Sequence, residues 1–345
     1  MNFTASVVKK ALLLEAGTIH LSSPILSALV EKPSAGPDAG LKGLFLKFEH
    51  HRVRLTIVPN PDETQFKLKK KSDGYYVMKG KSIFLSNVTV EKPLLHAPNQ
   101  AFINLASQCI FNCKYCATPK LKIRFMLEPR RVLAIIRSAM SIEDEIKAIA
   151  LTSGMVGSER KTLKLMVDTI KLIREELDHQ IPIGVEPYIT NKDFIDQLYS
   201  AGVDEMKINI ESFDREILES VCPNKDYYKI VSALEYSSQV FEKNRVCSNA
   251  IIGLGESDSD ILTGLNWMAE RGVVTNLRPL LINPYRRQDL IEATNNKAER
   301  PSAERMLKLA LNHKSILERY GLNTILFKTM CHKCTGCEIT PQQDV

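Results

Sequence analysis

From about residue 101 onward, short apolar runs of strand length alternate with stretches whose apolar residues recur at helical spacing. The runs predict strands at 101–106, 147–152, 181–186, 204–210, 247–254 and 274–282. The stretches predict helices near 129–141, 160–176, 191–200, 226–242, 258–271 and 302–319. Ser257-Asp258-Ser259-Asp260 and Pro301-Ser302 read as helix starts. Gly202, Gly272 and Gly321 each fall just past a helix, where a left-handed cap is wanted. This alternation predicts an α/β fold with a parallel sheet and right-handed crossovers, either an open doubly wound sheet or a partial barrel. In both, the working site lies at the carboxyl ends of the strands.

The texture before residue 98 is different. Gly43-Leu44-Phe45-Leu46-Lys47-Phe48 and Val53-Arg54-Leu55-Thr56-Ile57-Val58 read as strands, with turns at 33–40 and at Pro59-Asn60-Pro61. The expected organisation is a small α+β domain at 1–97, a βα domain at 98–300, and a helix with a cysteine-rich loop at 301–345.

Composition narrows the class. Hydrophobic residues at 44% and charged residues at 25% are those of a soluble globular protein. No apolar run approaches the ~18 residues that span a bilayer, so no membrane partner is expected. Lys9-Lys10 before Ala11-Leu12-Leu13-Leu14 imitates a signal peptide, but Glu15 ends the run too early, and a cytoplasmic location is expected. The net charge of +6 is mild. Its densest cluster, Lys67, Lys69, Lys70 and Lys71, reads as a solvated hairpin, or alternatively as a docking surface for an acidic protein or RNA.

The eight cysteines change the picture most. In a cytosol-like sequence they indicate metal binding or catalysis rather than a disulfide framework. Cys109-Ile-Phe-Asn-Cys113-Lys-Tyr-Cys116 lies in the loop after the first strand of the βα region. Structural zinc takes four ligands and no fourth is local, whereas three thiolates suit a [4Fe-4S] cubane with one iron left open. Cys331-His-Lys-Cys334-Thr-Gly-Cys337 is a second metal signal. With an outlying fourth thiolate it would hold a single iron or zinc; alone it could hold a second cubane. Cys222 and Cys247 are the candidates for that fourth ligand, Cys222 being favoured, and His332 could substitute.

Cys-x3-Cys-x2-Cys after the first strand of a βα barrel, with an aromatic before the last cysteine, resembles the signature of radical S-adenosylmethionine enzymes. The resemblance covers about residues 100–285 and implies a partial (β/α)6 barrel. It also implies reductive cleavage of S-adenosylmethionine to a 5′-deoxyadenosyl radical, driven by a low-potential electron donor. By the same resemblance Thr152-Ser153-Gly154 would meet the methionine amino group, and Glu186, Asn209 and Glu211, at the ends of the third and fourth strands, the cofactor's methionine and ribose. Asn249-Ala-Ile251-Ile-Gly253-Leu-Gly-Glu256 is similar to the family's Gly-x-Ile-x-Gly-x-x-Glu run behind the adenine, with Ile251 and Gly253 matching and Asn249 replacing the first glycine. Arg278 could neutralise a carboxylate or form an ion pair inside the barrel. Tyr115 would pack near the adenine or, with the cofactor absent, ligate the open iron.

The run from Asn104 to Cys116, the small N-terminal domain and the cysteine loop after the barrel resemble one branch more closely, the methanogenesis marker ten family. That resemblance implies a cobalamin-dependent C-methyltransferase whose protein substrate is the catalytic subunit of methyl-coenzyme M reductase, methylated on an sp3 carbon of an arginine. The family's cobalamin-holding C-terminal segment would lie past the second cluster, where this sequence stops at Val345, and no Asp-x-His-x-x-Gly run is present. Two other readings stand beside it. One is a radical methylthiotransferase or another peptide- or RNA-modifying radical enzyme with an auxiliary cluster. The other is a non-enzymatic zinc-loop RNA-binding protein, which leaves the first triad unexplained; nucleic acid is not the expected partner.

Overall fold

Parallel strands covered by helices on one side and a packed interior on the other must be apolar on both faces, and the strands here are. Ala148–Thr152 is buried along its first four residues, and Val246–Ile252 at every position but Asn249. The computed structural model describes residues 3–22, 30–93, 95–122, 124–142, 146–177 and 180–345. Part of the expected N-terminal domain, residues 23–29 included, therefore lies outside the described residues.

The chain opens with α1 (Ala5–Ala16), β1 (Thr18–Leu21), β2 (Gly43–Phe48), β3 (His51–Val58), β4 (Phe66–Lys71), β5 (Gly74–Lys79) and β6 (Ser82–Glu91). These strands close into a barrel in the order β1-β3-β2-β6-β5-β4, with β1 parallel to both neighbours and the other pairs antiparallel. Closure removes the sheet edges. Leu44, Leu46, Val53, Leu55, Phe66 and Leu68 are buried inside it. The lysines at 69–71 stand exposed on β4, with Lys70 and Lys71 over Tyr75 and Tyr76. Thr4 caps α1, which buries Val7, Leu13 and Leu14 against the barrel and a late helix, a burial contributing about 1.5–3 kcal/mol per large side chain.

The second unit runs β7 (Gln100–Asn104), α2 (Pro129–Ile142), β8 (Ala148–Thr152), α3 (Glu159–Glu176), β9 (Ile183–Glu186), α4 (Lys192–Ser200), β10 (Glu205–Lys207), α5 (Arg215–Val221), α6 (Tyr227–Val240), β11 (Val246–Ile252), α7 (Asp258–Glu270), β12 (Val274–Pro279), α8 (Arg287–Ala293), α9 (Ala303–Arg319) and α10 (Met330–Cys334). Its sheet is β12-β11-β10-β9-β8-β7, all parallel and in sequence order, a partial barrel rather than a doubly wound sheet. Each predicted strand and helix is present with ends moved by a few residues, and β10 is the shortest, three residues where seven were expected. Ser257 and Asp260 form the capping box that starts α7. Gly202, Gly272 and Gly321 take positive φ at helix ends. Helices α5 and α8 went unpredicted, since seven residues carry too little periodicity to read. Thr324–Leu326 forms a 3-10 turn, started by Asn323, whose side chain accepts from the Ile325 amide.

The C-terminal segment closes the amino-terminal end of the barrel. Gln100 at the start of β7 exchanges two hydrogen bonds with the Met330 backbone, at 2.7 and 3.1 Å. Glu205 at the start of β10 accepts from the Lys328 and Thr329 amides and the Thr329 hydroxyl at 2.6–2.9 Å. Gly184 admits this segment: a Cβ there would collide with Thr329. The far end of the segment is tied to the N-terminal unit by Asp344, which pairs with the buried Lys10 at 2.6 Å and His51 at 2.7 Å.

Candidate active site

A loop without regular structure needs partners for its carbonyls before it can present ligands. Arg286, 1% exposed, supplies them for the loop after β7. Its guanidinium donates to the Lys114 carbonyl at 3.1 Å, the Cys113 carbonyl at 2.8 Å and the Asn112 side chain at 3.0 Å, and pairs with Asp289 at 2.6 Å. The Lys114 amide donates to Val221 at 2.7 Å and the Ile110 amide to Met155 at 3.0 Å. So held, Cys109, Cys113 and Cys116 all line one cavity of about 610 Å³ at the carboxyl ends of the strands.

The three thiols are not equivalent. Cys113 is held below the usual thiol range, first by the adjacent Cys222 thiol, against burial, and also by Lys225. Burial pushes Cys116 up to about 11, with the Cys113 sulfur adding to it. Lys225 keeps its charge despite burial because Glu211, at 2.5 Å, and the two sulfurs outweigh the desolvation. Tyr115 is buried among these groups, and burial first, then the sulfurs and Glu211, push its phenol well above the ordinary value.

Thr152, Ser153, Gly154, Glu186, Asn209, Glu211, Ile251 and Arg278 line the same cavity. Gly154 donates to the Ala106 carbonyl at 2.9 Å, and a Cβ there would collide with the Gln108 carbonyl, so only glycine lets β8 approach the cysteine loop this closely. Thr152 donates to the Glu186 carbonyl at 3.2 Å, and Asn209 to the Glu186 carboxylate at 2.7 Å. Glu211 sits in the left-handed region at φ 64° and bridges to Ala250 on β11. Gly253, at φ 109°, shapes the turn beyond β11 rather than the cavity wall; Glu256 accepts its amide at 2.7 Å and that of Leu254 at 2.7 Å. Arg278 has the Cys331 sulfur, 3.3 Å away, as its hydrogen-bond acceptor.

The second triad shares the cavity. Cys331, Cys334 and Cys337 line its floor together with Lys207, Arg278 and Arg54. Burial pushes Cys334 up to about 12; Cys337 is raised too, though Arg278 and Arg54 oppose burial there. Cys222, read from sequence as the fourth ligand of this group, is instead at the opposite end, against Cys113. The Val221–Lys114 hydrogen bond folds the end of α5 over the first loop, whereas the second triad enters from the barrel's other mouth. Cys247, at the start of β11, is the outlying thiol near Cys331; it is buried, and Lys207 and Cys331 both act on it. His332 is buried rather than solvated, with Nδ1 3.0 Å from the Asn276 amide nitrogen.

Two features of the site went unread. Asn104, the last residue of β7, and Asn249 face the cavity with buried polar atoms lacking partners: both side-chain atoms of Asn104 and Oδ1 of Asn249. Buried polar groups without partners are rare, and two on one cavity wall suit a polar ligand. Neither carried a signal beyond lying in the quoted motifs. Lys207 and Arg286 carried none.

The donor set fits an iron–sulfur cubane with one open iron: three thiols converge on a cavity whose wall keeps unmet hydrogen-bonding capacity. Among the described residues, Glu49-His50-His51 and Glu31-Asp38-His96 are groups of metal-ligand type whose ligand atoms all lie within 4.8 Å of one another.

With this geometry in place, the comparisons are direct. Residues 103–268 match the Radical SAM superfamily, so the chain carries a radical S-adenosylmethionine domain, the domain of an enzyme superfamily built on a [4Fe-4S] cluster and S-adenosylmethionine. Over 216 residues it is 26% identical to a biotin synthase of Sulfurihydrogenibium sp. (strain YO3AOP1), covering 60% of this chain and 58% of that protein. Over 174 residues it is 25% identical to a lipoyl synthase of Buchnera aphidicola subsp. Schizaphis graminum (strain Sg), covering 50% and 53%. The chain thus spans little more than half the length of these curated relatives. Among solved structures, a radical SAM methyltransferase from Sphaerobacter thermophilus is similar at a TM-score of 0.46 and 16% identity, over 75% of this chain and 76% of that one. No helix among the described residues is long and apolar enough to cross a membrane.

Proposed function

We propose that the protein is a cobalamin-dependent radical S-adenosylmethionine C-methyltransferase that methylates an sp3 carbon of an arginine in the catalytic subunit of methyl-coenzyme M reductase. The observation that carries the radical part is the convergence of Cys109, Cys113 and Cys116 with the orphaned Asn104 and Asn249 on one cavity. The arginine and the corrinoid come from the resemblance of the Asn104–Cys116 run and of the cysteine loop after the barrel. When bound, the cluster and S-adenosylmethionine supply a hydrogen-abstracting radical, and cobalamin supplies the methyl group. No residue of the chain is assigned to the corrinoid.

The chain's own part is holding and exclusion. Cys109, Cys113 and Cys116 bind the cluster, and Arg286 fixes the loop that carries them. Asn104, Asn249 and the Thr152–Gly154 turn face the cofactor with donors and acceptors, and Glu186 offers a carboxylate to its cationic groups. Ile251 is nearly buried and packs beside Asn249 behind the adenine position. Tyr115, buried next to Cys116, lines the same cavity and would help exclude water there when the cluster is bound. A low-potential electron donor completes the partner set.

The test is anaerobic incubation of the cluster-loaded chain with S-adenosylmethionine, a low-potential reductant, methylcobalamin and an arginine-containing reductase peptide. The expected result is 5′-deoxyadenosine together with a one-methyl mass gain on the arginine. Deoxyadenosine with an unmodified peptide contradicts the proposed substrate.

A second reading, a radical methylthiotransferase or other peptide- or RNA-modifying radical enzyme with an auxiliary cubane, would use the three local thiols Cys331, Cys334 and Cys337, which line the same cavity, without a fourth ligand. Iron per chain separates the two. About eight irons mean two cubanes, and about five mean one cubane and a single iron.

A further inference from the structure

Lys207 ends β10 with its side chain 1% exposed, between the two cysteine triads. Its ammonium lies 3.1 Å from the Cys331 sulfur on one side and 3.2 Å from the Glu186 carboxylate on the other. Glu186 in turn accepts from Asn209 at 2.7 Å, and both face the cavity. Arg278 reaches the same Cys331 sulfur at 3.3 Å. A lysine is a flexible four-carbon stem ending in three rotatable donors, so its position is set by its anchors. One anchor here belongs to the second triad and the other to the wall of the radical site.

We propose that Lys207 is a positioning residue that couples the 331–337 triad to the binding of the cationic cofactor. Cys331, Cys334 and Cys337 would hold a metal that fixes the Cys331 sulfur; the sulfur positions the Lys207 ammonium, and the ammonium holds Glu186, and through it Asn209, in the cavity wall. The second centre thus acts on the first through one side chain, with no electron passing between them. The inference rests on reading the upper cavity as the S-adenosylmethionine site.

A double-mutant cycle tests it, read as equilibrium affinity of the cluster-loaded chain for S-adenosylmethionine rather than as turnover. Four proteins are compared: wild type, Cys331→Ser, Lys207→Met and the double variant. Iron content and the electron paramagnetic resonance spectrum of the reduced first cluster accompany each. The expected result is a roughly tenfold loss of affinity in either single variant, the size contacting residues commonly show, with no further loss in the double variant. The first cluster's spectrum is retained throughout, and Lys207→Arg, which can still reach both anchors, recovers most of the affinity. Should Lys207→Met fail to keep the first cluster, Lys207→Gln closes the same cycle. Additive losses, or a Cys331→Ser protein with wild-type affinity, overturn the coupling. Wild type that binds no cofactor while its first cluster is intact removes the underlying site instead.

Discussion

Asn104 and Asn249 are the residues whose chemistry is unfinished: buried amides on one wall with no partner of their own. A buried unsatisfied polar group costs about 1–3 kcal/mol, so a fold retains such groups where a ligand completes them. Cys113 is central among the proposed cluster ligands, buried, with its thiolate favoured by the adjacent Cys222 thiol. Cys113→Ala is expected to remove the first cluster's iron and to abolish cleavage of S-adenosylmethionine, checked by iron analysis and by assay for deoxyadenosine. The cysteine spacing and the strand-end positions of Glu186, Asn209 and Glu211 made these residues legible in the sequence. Cys222 was misplaced because a spacing says that a thiol follows the fourth strand, not which mouth of the barrel the C-terminal loop will enter. Lys207 and Arg286 were unreadable for a related reason: single basic residues look alike until a fold buries them.

At the level of elements, the long periodic ones were legible and the short ones were not. The parallel strands and the helices between them followed from hydrophobic spacing, while α5, α8 and the turn at 324–326 depend on one capping side chain each or on tertiary contacts. Helix α9 carries a buried histidine, His313, which desolvation holds down to about 3. The unfolded chain takes up that proton near pH 6.5, so the unfolded state binds more protons between those values. Stability is therefore expected to fall as pH drops from about 6.5 toward 3, by up to about 1.4 kcal/mol per pH unit from this group. His313→Asn should flatten that part of the curve, measured as the difference in urea midpoint from wild type at each pH. The C-terminal segment makes a second test. Asp344 is held below the ordinary carboxylate range: burial opposes this, but Lys10 and His51 prevail. Replacing it with alanine strands the buried Lys10 charge and is expected to cost about 3–5 kcal/mol, visible in the same unfolding measurement.

For the whole molecule, the arrangement is one partial barrel whose two mouths are treated differently. The carboxyl ends of the strands carry the first cysteine triad, and the amino ends are closed by the segment bearing the second, with a single cavity of about 610 Å³ touching both. The sequence showed both triads but not that they meet. The measurement that bears most directly on this account is anaerobic incubation of the cluster-loaded chain with S-adenosylmethionine and a low-potential reductant, with 5′-deoxyadenosine followed by mass spectrometry. Wild type is expected to form deoxyadenosine and Cys113→Ala none; a wild-type chain with its first cluster intact that forms none would contradict a radical site in this cavity.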